Sequence, residues 1–307
     1  MSRTEEFTAL RPLLFAIAYR ILGSVTEAED AVQETWLRYE GTTAEPTSVK
    51  SFLSAVVTRI SIDVLRSARV RREEYTGTWF PEPLLDDPYE DPERSAELAD
   101  SVSMAALLLL ERLSPLERAV FVLREVFAFD FAEIAEAVDR SESACRQLAV
   151  RARRHMAEGR PRFDADRRER EELTARFVEA FRAGDVDGLT ELLAADVQVT
   201  GDGGGKAPAF PRPVAGREKV LRAFVAFADL LSAGDLVIEQ HEVNHQPGIV
   251  ISTTDHELLA VLAVDVLDGH IQTVRGVMNP DKLAHLGPVA DAWAVQARAV
   301  QARRERS

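Results

Sequence analysis

"FAEIAEAVDRSESACRQLAVRARR", residues 131–154, is the stretch whose reading decides the fold. Phe131, Ile134, Ala135 and Val138 recur at helical spacing and share one apolar face. Asp139 and Arg140 suit a turn, and Ser141 suits the cap of a following helix. In that helix Cys145, Leu148, Ala149 and Ala152 fall at i, i+3, i+4 and i+7, a stripe for burial. Ser143, Arg146, Gln147, Val150, Arg151 and Arg154 point elsewhere. Two short helices joined by a tight turn, the second one basic, have the layout of a helix-turn-helix whose second helix enters the major groove. Arginine pairs bidentately with guanine, glutamine pairs with adenine, and further arginines clamp phosphates. An amphipathic surface helix with a solvated basic face has the same pattern, so the segment alone leaves that alternative open. Cys145 lies on the apolar stripe and reads as a small core residue, not a reactive thiol.

The rest of the chain gives those arginines their contrast. Of 307 residues, 37 are Lys or Arg and 51 are Asp or Glu, a net charge of −14. The length suits two or three domains. A single cysteine excludes internal disulfides, and no Cys/His cluster suggests zinc, so no cofactor is expected. No apolar run is long enough for a membrane span, and "MSRTEEFTAL" lacks a signal-peptide core, so the expected location is the cytoplasm.

Residues 5–74 read as a helical domain. "FTALRPLLFAIAYRILG" carries an apolar stripe and ends at Gly23. "SVTEAEDAVQETWLRYEG" restarts with Thr26 as the expected N-cap. After the loop "GTTAEPTS", a third helix ends in Arg66, Arg69, Arg71 and Arg72. The macrodipole favours one or two cations at a helix end, but hardly four. Residues 75–100 are acidic and hold four prolines, the composition of a linker. Its apolar cluster Trp79, Phe80, Leu84 and Leu85 reads equally as a docking segment or as a staple on the first domain. Residues 101–158 form a second helical domain, with Ser114 capping a helix that starts at Pro115. From 169 to 288 helices precede a strand-rich meander, an α+β domain. Residues 289–307 form a helix-prone tail.

Taken together, "AEDAVQETWLR", the loop, "FLSAVVTRISIDVLRSARVRRE", the acidic linker and the helix-turn-helix resemble the extracytoplasmic-function (ECF) sigma factors, the specificity subunits of bacterial RNA polymerase. The resemblance covers residues 5–156. "WFPEPL", "DGGGK" (202–206) and "NPDKL" (279–283) are similar to the subgroup that carries a fused C-terminal SnoaL-like cone domain, although Phe80 stands where that subgroup usually has leucine. The resemblance implies two all-α sigma domains followed by an α+β cone. The implied partners are core RNA polymerase and promoter DNA, read as duplex upstream and melted downstream.

It also implies roles for particular residues. Glu27, Asp30, Gln33, Glu34 and Trp36 would dock on a coiled coil of the polymerase's largest subunit. Arg59 and Asp63 would read splayed bases of the downstream element, a loop from Pro46 to Ser51 would shape a base pocket, and Arg66, Arg69, Arg71 and Arg72 would hold phosphates. Trp79, Pro81, the run Asp202, Gly203, Gly204, Gly205 and Lys206, and the turn Asn279, Pro280, Asp281, Lys282 and Leu283 would form a regulatory contact. Asp202 and Lys206 would pair with groups on the first domain or the linker, and the cone would set the spacing of the sigma domains.

Two other readings compete. Some relatives of the cone catalyse small-molecule reactions with an acid/base pair, and His241, His245, Asp255 and His256 are the candidates here. Their ordinary reading is as polar residues on strand edges or turns. An enzyme or ligand sensor fused to a DNA-binding module therefore remains the runner-up, to be judged by whether acid/base residues converge on the pocket. The glycine run suits anion binding through backbone N–H groups, but it lacks the spacing of a Walker loop. A stand-alone helix-turn-helix repressor is the third reading, separable by a gel shift with and without core enzyme.

Overall fold

The computed structural model describes residues 2–43, 45–89, 100–159, 167–210, 212–233 and 236–306. Much of the expected linker, residues 90–99, lies outside them. The chain divides into two compact units, Met1–Glu74 with Asp87–Pro161 and Tyr75–Asp86 with Arg162–Ser307. The first twelve residues of the expected linker thus belong with the C-terminal unit.

The first unit is helical. Helices α1 (Arg3–Leu22), α2 (Val25–Gly41) and α3 (Val49–Glu73) pack on one another. Ser2 and Glu5 form a capping box at the start of α1, and Gly23 ends it in the left-handed conformation at φ 70°. Ser24, not Thr26, caps α2 by accepting from the Glu27 N–H. Ser24 sits directly after the Gly23 reversal, so it has the extended backbone that a cap needs. Helix α3 begins at Val49, so the expected loop from Pro46 to Ser51 is shorter, and its last three residues are helical.

The helix-turn-helix half follows as α4 (Met104–Leu110), α5 (Pro115–Phe121) with a π-type turn over Val122–Val126, α6 (Phe131–Val138) and α7 (Glu142–Gly159). Ser114 and Glu117 form the capping box of α5, and Pro115 is its first residue. Asp130 and Glu133 do the same for α6, and Asp139 ends it at φ 53°. Two buried arginines tie the halves of this unit together. Arg20 donates from Nε to the Ser101 hydroxyl (2.9 Å) and lies 3.4 Å from Asp87, while Arg118 Nε donates to the Arg20 carbonyl (2.9 Å). Burial pulls the Arg20 guanidinium below its usual pKa, and Asp87 opposes that shift. Nothing in the helical periodicity distinguished these two arginines from exposed ones.

The second unit is α+β. Helices α8 (Arg167–Ala183) and α9 (Val186–Leu192) precede β1 (Leu193–Asp202), a short β2 (Val214–Ala215) and α10 (Arg217–Ala233). Strands β3 (Leu236–Val243), β4 (Gln246–Thr253), β5 (Leu258–Leu267) and β6 (His270–Val277) form an antiparallel meander, and α11 (Pro280–Leu283) and α12 (Ala292–Arg306) end the chain. The sheet order is β2-β1-β6-β5-β4-β3, with β1 parallel to β6. The meander is therefore closed by a parallel strand that alternation alone did not reveal. Phe177, Phe181 and Phe224 pack with the inner faces of the strands in one core.

Candidate promoter-binding surface and linker clasp

On α7 the apolar stripe is buried as its spacing requires: Cys145, Leu148, Ala149 and Ala152 face the core. Burial also pushes the Cys145 thiol pKa up, which suits an inert packing residue. Ser143, Arg146, Gln147, Arg151 and Arg154 are exposed together. Val150 stands among them 62% exposed, an apolar side chain on a polar face. Each charged member has an acidic neighbour: Arg146 with Glu142 (2.5 Å), Arg151 with Glu117 (3.2 Å) and Arg154 with Glu158 (3.9 Å). Burial alone would raise the Glu117 carboxyl pKa. Hydrogen bonds from the Ser114 hydroxyl and N–H, with Arg151 nearby, reverse this and hold it below the usual range.

The α3 candidates are placed differently. Arg66 pairs with Asp63 (3.1 Å), and the side chains of Arg69, Arg71 and Arg72 lie outside the described residues. Arg59 is turned toward α6, where it donates to the carbonyls of Glu136 (2.6 Å) and Ala137 (3.2 Å). Those are carbonyls at a helix C-terminus, where a cation is favoured. Ser51 donates to Glu133 (2.7 Å) at the other end of the same contact. In this state Arg59 is thus a contact between α3 and α6, a partner that one helix read by itself does not reveal.

On α2, Asp30 and Gln33 are exposed and Glu27 is partly so. Glu34 pairs with Arg38 (2.8 Å). Trp36 is partly exposed and packs on Phe7 with ring centroids 5.0 Å apart. The exposed apolar side chain is its neighbour Leu37, 55% exposed. Asp30, Gln33 and Leu37 lie at i, i+3 and i+7, so helical spacing alone was enough to find Leu37.

The three C-terminal motifs meet in one place. Asp202, fully buried at the end of β1, is the hub. Its Oδ2 accepts from Lys282 Nζ (2.6 Å) and from the Phe80 N–H (2.8 Å). Its Oδ1 accepts from the Tyr75 hydroxyl (2.5 Å) and the Gly204 N–H (3.1 Å). Lys282 also donates to the Phe80 carbonyl and lies 4.3 Å from the centre of the Trp79 ring and 4.7 Å from that of Tyr75. Asn279 donates to the Tyr75 oxygen (2.7 Å). Burial, then the bond to Asp202, pushes the Tyr75 hydroxyl pKa far up, so it stays a proton donor. Further along, Leu84 and Asn244 exchange bonds (3.1 and 2.7 Å), and the His285 ring meets the Pro83 carbonyl (2.8 Å). The linker's apolar cluster is therefore a docking segment for the C-terminal unit and not a staple on the first domain.

The glycine run has a packing reason. A Cβ at Gly203 would strike the Ala207 carbonyl oxygen, and one at Gly204, at φ +57°, would strike the Asn279 amide. Two of its amides are used internally, Gly204 bonding to Asp202 and Lys206 to the Gly203 carbonyl, which also accepts from the Ala207 N–H just beyond the run. Lys206 pairs with Asp281 (2.5 Å) instead of a group on the first domain or linker. Pro280 starts α11, and Leu283 is buried beneath it.

The C-terminal unit holds a cavity of about 430 Å³, and none of the described residues lining it is titratable. His241, Asp255 and His256 are exposed on β3 or in the β4–β5 turn, and His245, beside Glu242 (3.1 Å), does not line it either. Among the described residues no His, Cys, Asp or Glu cluster is arranged for a metal, and no helix is long and apolar enough to cross a membrane.

Comparison with known proteins agrees with this architecture. Residues 7–71 match the Sigma-70 region 2 family, 103–156 the Sigma-70 region 4 family, and 174–277 the SnoaL-like domain. The ECF RNA polymerase sigma factor SigJ of Mycobacterium tuberculosis is 38% identical over 91% of this chain and 92% of its own length. A probable ECF RNA polymerase sigma factor, SigI, of the same species is 32% identical over 91% of this chain and 94% of its own length. The crystal structure of SigJ superposes with a TM-score of 0.72 at 34% identity, covering 94% of this chain and all of that one. The chain belongs to the ECF sigma factors that carry a C-terminal SnoaL-like domain.

Proposed function

We propose that this protein acts in the cytoplasm as a σ subunit that binds core RNA polymerase and directs initiation at specific promoters, with the SnoaL-like domain adjusting its activity in cis. The observation that carries the cis-acting part is the clasp. A buried Asp202–Lys282 pair holds residues 75–86, the chain that leaves α3 toward the helix-turn-helix. Fixing that segment restricts how far the two DNA-binding helices can separate.

The roles follow from exposure and charge. Arg146, Gln147, Arg151 and Arg154, with Ser143, read the upstream duplex from α7, and Val150 offers an apolar contact for a thymine methyl. Asp63 and Arg66, with Arg69, Arg71 and Arg72, serve the melted element. Arg59 joins them only after α3 leaves α6, so the free subunit has its downstream reader closed. Asp30, Gln33 and Leu37, flanked by Glu27 and Glu34, suit a basic, partly apolar partner face. The lack of acid/base groups among the described residues that line the cavity supports a regulatory rather than a catalytic cone. The protein mixed with core polymerase is expected to co-elute with it and to start transcripts at discrete promoters. Arg59→Glu with Arg151→Glu is expected to lower those starts while co-elution persists. Failure to associate with the core, or unaltered starts, would contradict the proposal.

A further inference from the structure

The cavity of the C-terminal unit has the size of a small-molecule site, about 430 Å³ against a usual range of roughly 300–1,000 Å³. Its walls are hydrocarbon. Phe177, Phe181, Phe224 and Phe227 form one side, with ring centroids 5.4–6.0 Å apart. Val274 comes from β6, and Met278 directly follows that strand. Helix α12 closes another side with Ala292, Val295 and Ala299, all buried. The side-chain hydrogen-bonding groups among the described lining residues are the Thr200 hydroxyl and the Gln296 amide. Phe210 and Val300 also line the cavity and are 36% and 42% exposed, so its mouth is apolar too.

We infer that this cavity is a binding site for a neutral, mainly hydrocarbon small molecule bearing one hydrogen-bonding group, which meets Thr200 or Gln296. A carboxylate or ammonium entering it would lose its water and gain no described countercharge, so charged ligands are disfavoured. Walls of this kind offer water few hydrogen-bonding partners, so an apolar occupant that displaces water gains both the hydrophobic term and dispersion contacts with the lining. With no acid or base on the described walls, the occupant is held and not converted. Thr200 and Gly201 line the cavity directly before Asp202, and Met278 lines it directly before Asn279, so the occupant lies beside the clasp. The inference does not depend on σ activity, because it is tested without polymerase.

The test is calorimetry of the full chain with decan-1-ol and with decanoate. One decan-1-ol per chain is expected, with a negative heat-capacity change and with decanoate at least tenfold weaker. Ala260→Phe and Ala299→Phe each place a ring in the cavity and are expected to weaken decan-1-ol binding at least tenfold, with unchanged circular dichroism confirming the fold. If neither variant folds, co-crystals of the unaltered protein with 10-bromodecan-1-ol decide the matter, the bromine's anomalous signal being expected among Phe181, Phe227 and Val295. No binding, equal binding of decanoate, undiminished binding by a folded variant, or bromine elsewhere would overturn the inference.

Discussion

The α7 surface and the Asp202 clasp are both built from ion pairs, but burial gives them opposite properties. On α7 the pairs Arg146–Glu142 and Arg154–Glu158 are roughly half exposed or more on both partners. Pairs of this kind contribute only about 0.2–1 kcal/mol and are screened by salt. A DNA phosphate displaces such a carboxylate at little cost, so the surface can exchange partners. In the clasp, Asp202 has no exposed surface and each of its oxygens accepts two hydrogen bonds. Its charge is tolerated only while Lys282 stays in place. On the reading proposed above, the same chemistry serves recognition where water reaches it and attachment where water does not.

The sharpest way to break this comparison is to remove one clasp partner. Lys282→Ala leaves Asp202 buried without its cation and is expected to cost about 3–5 kcal/mol in denaturant unfolding of the C-terminal unit. Limited proteolysis should then cut within residues 75–86. A loss below about 1 kcal/mol would mean that the clasp behaves like a surface pair. Asp202→Leu combined with Lys282→Met removes both charges and is expected to recover only the part of that loss caused by the uncompensated charge, because the Phe80, Tyr75 and Gly204 donors that hold the linker lose their acceptor.

On the exchangeable side, Arg151→Ala should weaken promoter binding by the assembled polymerase by about 1–3 kcal/mol if Arg151 reads a base. Stability should change by less than about 0.5 kcal/mol. If it contacts a phosphate instead, the weakening will be uniform across sequences and the salt dependence will fall by about one ion. The smallest effect concerns Glu117. Its carboxyl pKa is depressed in the folded protein, so its stabilisation is present above its ordinary value of 4.5 and is lost as pH falls through the lower folded value. Glu117→Gln should remove that part of the acid dependence and cost about 1 kcal/mol at neutral pH through the weakened cap. Thermal unfolding between pH 3 and pH 7 measures both.

What was legible in the sequence followed the periodicity of exposure and burial. The α7 stripe, the Gly23 stop and the Ser114–Pro115 start each depend on residues close in the chain, and each stands as read. Motif resemblance brought "WFPEPL", "DGGGK" and "NPDKL" together, but not their pairing. Asp202 meets Lys282 and Tyr75 across 80 and 127 residues of sequence, which no local pattern encodes. Lys206, the expected partner-seeker, has a partner of its own motif group in Asp281. The role expected of Arg59 came from the family resemblance, and its engagement by α6 carbonyls is a tertiary fact that the resemblance did not carry. Arg20 and Arg118 were missed for a related reason: burial of a cation is decided by its neighbours' geometry, not by its place in a helical repeat.

Transcription from one promoter fragment, with core polymerase and either the unaltered protein or the Asp202→Leu, Lys282→Met pair, tests the clasp most directly. The exchange puts hydrocarbon in place of both buried charges and removes the hydrogen bonds by which Asp202 and Lys282 hold the linker. The account predicts a changed transcript yield with unchanged binding to the core enzyme. Equal yields from the two proteins would contradict it.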